Sequence, residues 1–397
     1  MPGLRIAGVR LAATAAGIRY QGRDDLVLLA LPPGAETAAV FTTNAFCAAP
    51  VQLARSHLAQ GRPRYLLINS GNANAGTGTR GLADAETCCV ALAGAANCAP
   101  EEVLPFSTGV IGEYLPVERI AAALPGLLGG LTEDGWEAAA LAIMTTDTKP
   151  KTAAARCDLG GCEASIVGMA KGAGMIRPDM ATMLAFLATD AAVSAPMLDD
   201  LLRSAVADTF NAISIDGDTS TNDACVLCAA GTLPGGSVSA GSAGAAALGA
   251  AIHDVCEQLA TAIVRDGEGA TKLVTIEVQE ACSAAEARSV ADTIAHSPLV
   301  KTALFASDPN WGRILAAVGR AGVDALDIGR VRIWLDDCLI VSGGGRDPSY
   351  SEAAGRKVMA QDTFRIGVAL GRGDARARVM TCDLSYEYVR INAEYRT

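Results

Sequence analysis

The sequence predicts an α/β (α+β) protein of two domains, on three observations. Its 397 residues exceed what one compact hydrophobic core usually organises. Short runs rich in branched apolar residues alternate with long alanine-rich segments that carry apolar residues at helical spacing. The pattern of predicted secondary structure also changes near residue 275, where hairpin-like strand pairs begin to replace the long alanine-rich helices. We therefore place a larger domain at 1–275 and a smaller one at 276–397.

The first part of the chain predicts strands followed by helices. DLVLLAL, TAAVFTTN and YLLINSG are short β-rich runs bounded by Pro, Gly and Asn. GLADAETCCVALAGAANCAP predicts a helix that Pro100 ends. VERIAAALPGLL and GWEAAALAIMTT also predict helices, and LPFSTGVIGEYLP predicts a glycine-containing turn.

The later elements follow the same logic. ARCDLGGCEASIVGMAKGAG predicts two strands joined at its Gly-Gly pair, and SAPMLDDLLRSAVADTFNAI predicts an amphipathic helix. GTLPGGSVSAGSAG predicts a surface loop before the long helix AAALGAAIHDVCEQLATAIVRDG. KLVTIEVQ predicts a strand at 272–279 and a helix follows near 284–296. VRIWLDDCLIVSGG and FRIGVALGRGDARARVMTCD predict two hairpin-like pairs, and EYVRI (387–391) predicts a strand-like segment near the C-terminus.

Composition excludes several classes of partner. The formal net charge of −11 repels nucleic acid and anionic membrane surfaces, so neither is an expected partner. Arginines interrupt the apolar N-terminal segment, and no run approaches the ~20 apolar residues that a membrane span requires. We expect a cytoplasmic protein.

Cysteine and histidine usage does not indicate a metal centre. The sequence holds 12 cysteines, and its one Cys-x-x-Cys pair, Cys225 and Cys228, has no second pair or nearby histidine. The three histidines are His57, His253 and His296, each in an ordinary helical or helix-end context. We expect no metal and interpret the cysteines as small buried hydrophobic residues in a reducing compartment.

One stretch, KGAGMIRPDMATMLAFLATDA (171–191), could supply a nucleophile. The bland interpretation of Thr182 is a β-branched residue that opens a strand. The functional interpretation is that Thr182 becomes an N-terminal nucleophile when the Ala181–Thr182 bond is cut. The new α-amino group, with a pKa of about 7.7–8.0, would then serve as the base for the Thr182 hydroxyl. Gly172, Gly174 and Pro178 could hold the strained backbone that promotes such a cut.

The same stretch resembles the signature of the ornithine acetyltransferase family, the glutamate N-acetyltransferases of the cyclic arginine pathway. Further blocks along nearly the whole chain carry the resemblance: VFTTNAFCAAPV (40–51), INSGNANAGTG (68–78), STGVIG (107–112), MTTDTKPK (144–151), FNAISIDGDTSTND (210–223), SPLVKTALFASDPNWGRI (297–314) and INAEYRT (391–397). These motifs are long and rare, so the resemblance is specific.

The resemblance implies a self-cleaving acyltransferase. The precursor would cut itself into an α chain (1–181) and a β chain (from 182). Together these chains would form an αββα-type sandwich core, as in N-terminal-nucleophile enzymes, and a smaller C-terminal α/β domain would supply the chain's tail to the active site. Two copies of each chain would associate as a heterotetramer. Thr182 would carry the acetyl group, and Thr108 with Gly109 would stabilise the oxyanion.

The resemblance also implies a set of substrate-contacting residues. Lys171 would receive a substrate carboxylate and Glu268 a substrate ammonium group, so an amino acid would be held at both ends. Arg177 and Asp179 receive no role. The remaining positions are Thr145, Asn392 and Thr397, together with Thr182 itself.

The implied reaction is a ping-pong transfer from N-acetylornithine to glutamate without a resident cofactor. The sequence leaves open whether acetyl-CoA is also accepted as donor. Two alternatives stay open on the residues alone. One is an N-terminal-nucleophile amidase or aminopeptidase that passes the acyl group to water. The other is a non-catalytic binding protein that keeps the fold.

Overall fold

A computed structural model describes residues 4–177 and 183–394 of the chain. These residues divide into two compact units. The first comprises 4–172, 183–211 and 218–263, and the second comprises 173–177, 212–217 and 264–394. The predicted domain boundary at 275 lies inside a strand of the second unit, whereas the division between the units falls at 263/264.

The first unit contains two sheets. The four-stranded sheet has the order β1-β2-β4-β5. The five-stranded sheet has the order β3-β10-β8-β7-β6. Their bounds are β1 (Arg10–Thr14), β2 (Leu26–Ala30), β3 (Glu36–Phe41), β4 (Tyr65–Asn72), β5 (Val103–Val110), β6 (Lys151–Asp158), β7 (Glu163–Lys171), β8 (Leu184–Thr189) and β10 (Ala224–Ala229).

Six helices accompany these sheets within the described residues: α1 (Ala49–Gln60), α2 (Gly78–Ala96), α3 (Val117–Gly129), α4 (Trp136–Ala142), α5 (Ala195–Asp208) and α6 (Ala243–Arg265), the last of which runs two residues into the second unit. Proline at the start of α1 and of α5 suits a helix's first turn, where the missing N–H would be unpaired anyway.

The two sheets of the first unit pack face to face over an apolar core. Phe106 of β5 and Phe186 of β8 meet edge to face across it, with ring centroids 5.1 Å apart. On the outer face of the four-stranded sheet, Leu92 of α2 and Leu124 of α3 join a second apolar cluster. Helix α6 packs on the outer face of the five-stranded sheet at Gly168. The layers are therefore helix, sheet, sheet, helix, and the predicted α/β class and αββα sandwich are confirmed.

The second unit is built on one seven-stranded sheet of order β14-β13-β12-β15-β11-β16-β9. Its strands are β9 (Ile213–Ser214), β11 (Leu273–Ala281), β12 (Arg332–Leu335), β13 (Cys338–Ser342), β14 (Gly345–Arg346), β15 (Thr363–Ala369) and β16 (Ala375–Cys382). Its helices are α7 (Ala284–Ala295), α8 (Pro298–Phe305), α9 (Trp311–Gly319), α10 (Glu352–Met359) and α11 (Tyr386–Glu394). One apolar cluster, with Ile276, Val290 and Ile366 fully buried, joins the sheet to its helices.

Three local predictions are wrong. The LPFSTGV segment is strand β5 and not a turn, because Leu104 and Phe106 are buried and the backbone pairs in parallel with β4. The segment FRIGVALGRGDARARVMTCD is not a hairpin, because β11 lies between β15 and β16 and pairs with both. EYVRI near the C-terminus, expected to be strand-like, belongs to helix α11.

The cysteines follow the prediction only in part. Those at 88, 89, 225, 228, 256 and 382 are buried, and burial raises the pKa of Cys88, Cys228 and Cys256 to about 12. Cys282 is exposed and the other five are half-buried, so the interpretation as buried hydrophobic residues applies to half of them.

Helix α6 has the length and apolar composition to cross a membrane, which the sequence reasoning did not anticipate. Half of its most apolar 18-residue window is buried inside the protein, as in the core helix of a globular fold.

Candidate active site

Two of the predicted catalytic and binding residues meet where strands from the two facing sheets end. Thr108 is on β5 and Lys171 is the last residue of β7. The Lys171 ammonium group donates a hydrogen bond to Thr108 Oγ1 at 3.2 Å, and both residues are buried. An ammonium group beside a hydroxyl is an environment that favours negative charge on a reacting oxygen.

Gly109 follows Thr108 at a position that only glycine fills. Its φ of +135° lies where side chains are disfavoured, and a Cβ there would overlap the backbone of Gly71 and Asn72. The β4–β5 register shifts at the same place, where Asn72 faces both Thr108 and Val110. Such a bulge re-aims the backbone at a strand end.

The buried carboxylate of Asp147, which was not predicted from the sequence, contacts the chain segments next to Lys171 and Thr145. Asp147 Oδ1 accepts hydrogen bonds from Lys151 Nζ at 2.6 Å and from the Gly172 N–H at 2.7 Å. Its Oδ2 accepts from the N–H of Thr145, a half-buried predicted binding residue, at 3.1 Å. The side chains of Asp147 and Lys151 are 0% and 2% exposed.

Asp147 keeps its charge despite burial. Burial alone would raise the pKa of Asp147, but the charges of Lys171 and Lys151 and the hydrogen bonds from Lys151 and Gly172 outweigh it and lower that pKa to about 2. The carboxylate is therefore ionised throughout the physiological range and holds together three chain segments around Lys171.

A second group of predicted residues lies within the second unit. Glu268 is buried, and its Oε2 accepts a hydrogen bond from Asn392 Nδ2 of α11 at 2.7 Å. The Glu268 N–H donates to the carbonyl of Ala173 at 2.7 Å. A Cβ on Gly174 would lie 2.6 Å from both carboxylate oxygens of Glu268, so glycine permits this approach.

A second missed carboxylate holds the same segment. Asp216 accepts hydrogen bonds from the N–H groups of Met175 at 2.6 Å and Ile176 at 2.8 Å. The Tyr388 hydroxyl of α11 donates to Asp216 at 3.3 Å. Residues 173–177 are thus held by Glu268 on one side and Asp216 on another, just before the predicted cleavage site in the sequence.

The structure groups most of the predicted site within its two units. Thr108, Gly109, Thr145 and Lys171 lie together in the first unit, and Glu268 with Asn392 in the second. Ala181, Thr182 and Thr397 lie outside the described residues, as does Asp179.

A signal for Asp147 was present in the sequence. Only six of the 32 basic residues are lysines, and three of them fall at 149–171, directly after Asp147. A buried lysine requires a partner, so this local enrichment pointed to a buried carboxylate.

The described residues form an αββα sandwich and a second α/β unit. Within the sandwich, a lysine and a threonine meet where strands of the two facing sheets end. The ArgJ family profile matches residues 10–397. The chain belongs to the ArgJ family.

Two ArgJ proteins are similar in sequence to this chain along nearly its full length. The "Arginine biosynthesis bifunctional protein ArgJ" of Methylococcus capsulatus is 61% identical over 392 residues, which cover 99% of this chain and 96% of that protein. The protein of the same name from Pseudomonas fluorescens is 52% identical over 393 residues, covering 99% and 97%. A crystal structure of an ArgJ protein from Bacillus halodurans is 37% identical, with a TM-score of 0.49, and covers 51% of this chain and 95% of that one.

Proposed function

We propose that this protein is an acyltransferase of arginine biosynthesis that moves the acetyl group from N-acetylornithine to glutamate through an acetyl ester on Thr182. The observation that carries the proposal is the 61% identity, over nearly the whole chain, to a protein named for arginine biosynthesis. The family relation does not favour the amidase alternative.

The proposed reaction begins with self-cleavage. The Thr182 hydroxyl attacks the carbonyl carbon of Ala181, and the peptide nitrogen leaves as the new α-amino group while an ester forms. Water then hydrolyses the ester, which frees the hydroxyl. The α-amino group afterwards serves as the base that takes the hydroxyl proton when Thr182 attacks N-acetylornithine.

The described residues support distinct roles in this reaction. Thr108 and Gly109 stabilise the oxyanion, since a hydroxyl and a backbone N–H at a bulge can point at one oxygen. Lys171 receives the α-carboxylate of the substrate. Glu268 receives an ammonium group, and its hydrogen bond from Asn392 orients the carboxylate for this role. Thr145 and Thr397 complete the proposed binding set.

Assembly and donor range belong to the same proposal. The α chain (1–181) and β chain (from 182) stay together, and two copies of each associate as a heterotetramer. The reaction uses no resident cofactor, and acetyl-CoA is a second candidate donor. The cytoplasmic location expected from the sequence stays a prediction.

The function is tested by incubating the purified protein with N-acetylornithine, with and without glutamate, and measuring ornithine, acetate and N-acetylglutamate by mass spectrometry. With glutamate we expect N-acetylglutamate and ornithine in equal amounts over many turnovers, and without glutamate no more than one ornithine per Thr182. Acetate released at the same rate with and without glutamate would instead identify a hydrolase. Replacing N-acetylornithine with acetyl-CoA in a parallel reaction decides the donor range.

The nucleophile is tested by Thr182→Ala and Thr182→Ser. We expect Thr182→Ala to remain a folded single chain without transferase activity, because one hydroxyl serves both steps. Thr182→Ser keeps the hydroxyl and should still be cut. Fragments ending at Ala181 in the alanine variant, seen by mass spectrometry, would contradict the assignment.

A further inference from the structure

We propose that Asn222 is a positioning residue for the acetyl transfer, whose buried side-chain amide holds the oxyanion pair Thr108 and Gly109 in place. This inference rests on the proposed function, because Thr108 and Gly109 have their roles there. Asn222 lies in the block FNAISIDGDTSTND (210–223), whose residues have no part in the proposed reaction. The role of Asn222 is to keep that pair in a fixed position relative to strand β8, which follows Thr182 in the sequence.

The side-chain amide of Asn222 is buried, and its oxygen and both of its donor hydrogens are engaged. Nδ2 donates to the carbonyl of Ala73 at 2.6 Å and to the carbonyl of Ser107 at 2.9 Å. Oδ1 accepts from the Thr221 hydroxyl at 2.6 Å, which fixes the direction in which the amide faces. The side chain of Asn222 is therefore a clamp on two backbone carbonyls.

The two clamped carbonyls lie on either side of the oxyanion pair. The Ser107 carbonyl belongs to the peptide unit that ends at the nitrogen of Thr108, and because a peptide unit is planar, its orientation sets where Thr108 begins. The Ala73 N–H donates to the carbonyl of Val110 at 2.9 Å, so Ala73 is tied to the residue that follows Gly109. The amide therefore holds the backbone both before and after the pair.

Asn222 also joins this backbone to the facing sheet. It lies two residues before β10 of the five-stranded sheet. The first N–H of β10, that of Ala224, donates to the carbonyl of Met183 at 3.0 Å. Met183 follows Thr182 in the sequence and directly precedes β8. One short segment, residues 222–224, therefore ties the oxyanion strand end to the start of the strand that follows the proposed nucleophile.

Oxyanion stabilisation depends on this positioning because the donors must already point at the charge when it develops. Gly109 has more conformational freedom than any other residue type, so its N–H keeps one direction only while its neighbours are held. Without the Asn222 amide, the carbonyls of Ala73 and Ser107 would lose a buried partner, and the strand end could shift. A displacement of about 1 Å at a reacting site can cost ~10² in rate.

Three other buried asparagines near the end of β4 have a different arrangement. The amides of Asn69, Asn72 and Asn74 donate to backbone carbonyls within residues 72–114, which belong to the same part of the chain. Asn222 reaches this region from a segment that leads into the facing sheet. It is therefore the amide among these four that relates the oxyanion pair to β8.

The test is Asn222→Ala, which removes both donors. We expect self-cleavage to slow, because the same oxyanion pair serves that step. Per cleaved enzyme, with the cleaved fraction measured by denaturing electrophoresis, we expect kcat to fall by about tenfold to a hundredfold. We expect KM for N-acetylornithine and glutamate to change by less than about threefold, because the displaced donors act on charge that exists only in the transition state.

A double-mutant cycle tests whether Asn222 acts through the oxyanion pair. In a Thr108→Ala background we expect Asn222→Ala to lower kcat by a smaller factor than in the wild-type background, because one donor that it positions is already absent. The same factor in both backgrounds overturns the proposal, since Asn222 would then act independently of Thr108. A rise in KM with kcat unchanged also overturns it.

The matched control is Asn44→Ala, which removes an asparagine side chain bound to the loop that precedes Asn222. Asn44 Nδ2 donates to the carbonyl of Thr219 and its Oδ1 accepts from the Phe46 N–H, both at 2.9 Å. We expect this variant to keep kcat close to the wild-type value. Equal losses of kcat in the two variants would show that Asn222 only stabilises the loop, and would overturn the proposal.

Thr221→Val serves as a second variant where Asn222→Ala does not fold or is not cleaved. Valine keeps the shape of the threonine side chain and removes the hydroxyl that orients the Asn222 amide. We expect kcat to fall by about threefold or more with KM nearly unchanged. A wild-type kcat in the folded Thr221→Val protein counts against the proposal in that case.

Amide hydrogen exchange, measured by mass spectrometry on the resting protein, needs no substrate and separates this inference from the proposed function. We expect residues 73–75 and 108–112 to exchange about tenfold or more faster in Asn222→Ala, and at wild-type rates in Asn44→Ala. A wild-type protein that transfers no acetyl group, with this change in exchange, would refute the function and leave the clamp of Asn222 intact. Active enzyme whose Asn222→Ala variant keeps either wild-type kcat or wild-type exchange would refute the inference alone.

Discussion

Thr108 and Gly109 show how single residues determine what strand β5 can do. Thr108 is buried in the parallel ladder with β4, yet its hydroxyl accepts from Lys171 of the facing sheet. Gly109 has a positive φ, and the backbone of Gly71 and Asn72 leaves no space for a side chain there. In the proposed reaction the Thr108 hydroxyl and the Gly109 N–H would be positioned before substrate binds, which is the condition for effective oxyanion stabilisation.

At this scale we predict that Thr108→Ala lowers kcat for acetyl transfer by ~10–10³ and changes KM much less, because the hydroxyl acts on charge that exists only in the transition state. Steady-state kinetics with N-acetylornithine and glutamate measure both constants. Thr108→Ser is the matched control, since it retains the hydroxyl and should keep most of kcat. A large rise in KM with kcat unchanged would make Thr108 a binding residue.

The site could be predicted from the sequence only where short motifs carry it. STGVIG and the MTTDTKPK block contain the residues that the structure brings together, so the resemblance located them without any tertiary contact. Asp147 and Asp216 were missed because their importance depends on partners far along the chain, such as Gly172 and Tyr388. An aspartate by itself carries no mark of burial, and the one signal for Asp147 was the group of three lysines that follows it at 149–171.

At the scale of elements, long-range pairing explains which predictions failed. Strand β11 lies between β15 and β16 although both follow it in the sequence, so the short connection between β15 and β16 wrongly suggested a hairpin. Likewise β5 pairs with β4 across an intervening helix, which local glycine content cannot reveal. Helices with clear periodicity, such as α5 and α7, were predicted correctly because their signal is local.

The elements also explain how two cleaved chains would stay associated. Strand β7 would belong to the α chain and β8 to the β chain, and the two pair antiparallel from Ile166 opposite Thr189 to Lys171 opposite Leu184. In the second unit, segment 173–177 would belong to the α chain while Glu268 and Asp216, which hold it, belong to the β chain. Cleavage at Ala181–Thr182 would therefore break one peptide bond and leave these hydrogen bonds in place.

For helix α11 we predict that deleting residues 392–397 leaves both fragments produced and associated, yet raises KM for glutamate and N-acetylornithine about tenfold or more. The deletion removes the Asn392 amide that donates to the buried Glu268 carboxylate, and losing a partner of a buried charged group weakens its function. Self-cleavage needs the local backbone, Thr182 and its oxyanion donors, which the deletion spares.

The truncation is assayed twice, by denaturing electrophoresis for fragments and by transfer kinetics. Deleting only 395–397 separates the two proposed contributions, because it removes Thr397 and retains Asn392. Full transferase kinetics in the longer truncation would remove Asn392 and Thr397 from the site, and failure of cleavage would show that the tail also supports processing.

At the scale of the whole molecule, the chain passes between its two compact units several times. Segments 173–177 and 212–217 belong to the second unit although both are embedded in the sequence of the first. Strand β9 in one of them pairs with β16, more than a hundred residues later. A single domain boundary near residue 275 does not describe this division, because the second unit includes two short segments from earlier in the chain. The composition of these segments does not differ visibly from that of the first unit around them.

One consequence for the whole molecule is a stability that depends on pH through His296, at the end of α7. Burial lowers the pKa of His296 to about 4, the charges of Arg177, Lys301 and Arg288 act in the same direction, and Asp292 opposes them. The unfolded chain binds this proton with a pKa of about 6.5. The folded state therefore holds fewer protons than the unfolded state between these values, so the stabilisation is present above about pH 6.5 and is lost as the pH falls towards 4.

We predict that the free energy of unfolding in urea decreases by on the order of 1–2 kcal/mol between pH 7 and pH 4.5 through this residue, allowing for its partial exposure. His296→Asn should flatten that slope, because its side chain binds no proton. His253→Asn, which removes a half-buried histidine of α6, is the matched control. Equal slopes in the two variants would contradict the assignment. A flattened slope in His296→Asn alone would show that this half-buried ring, whose Nε2 is buried without a hydrogen-bond partner among the described residues, contributes to the loss of stability in acid.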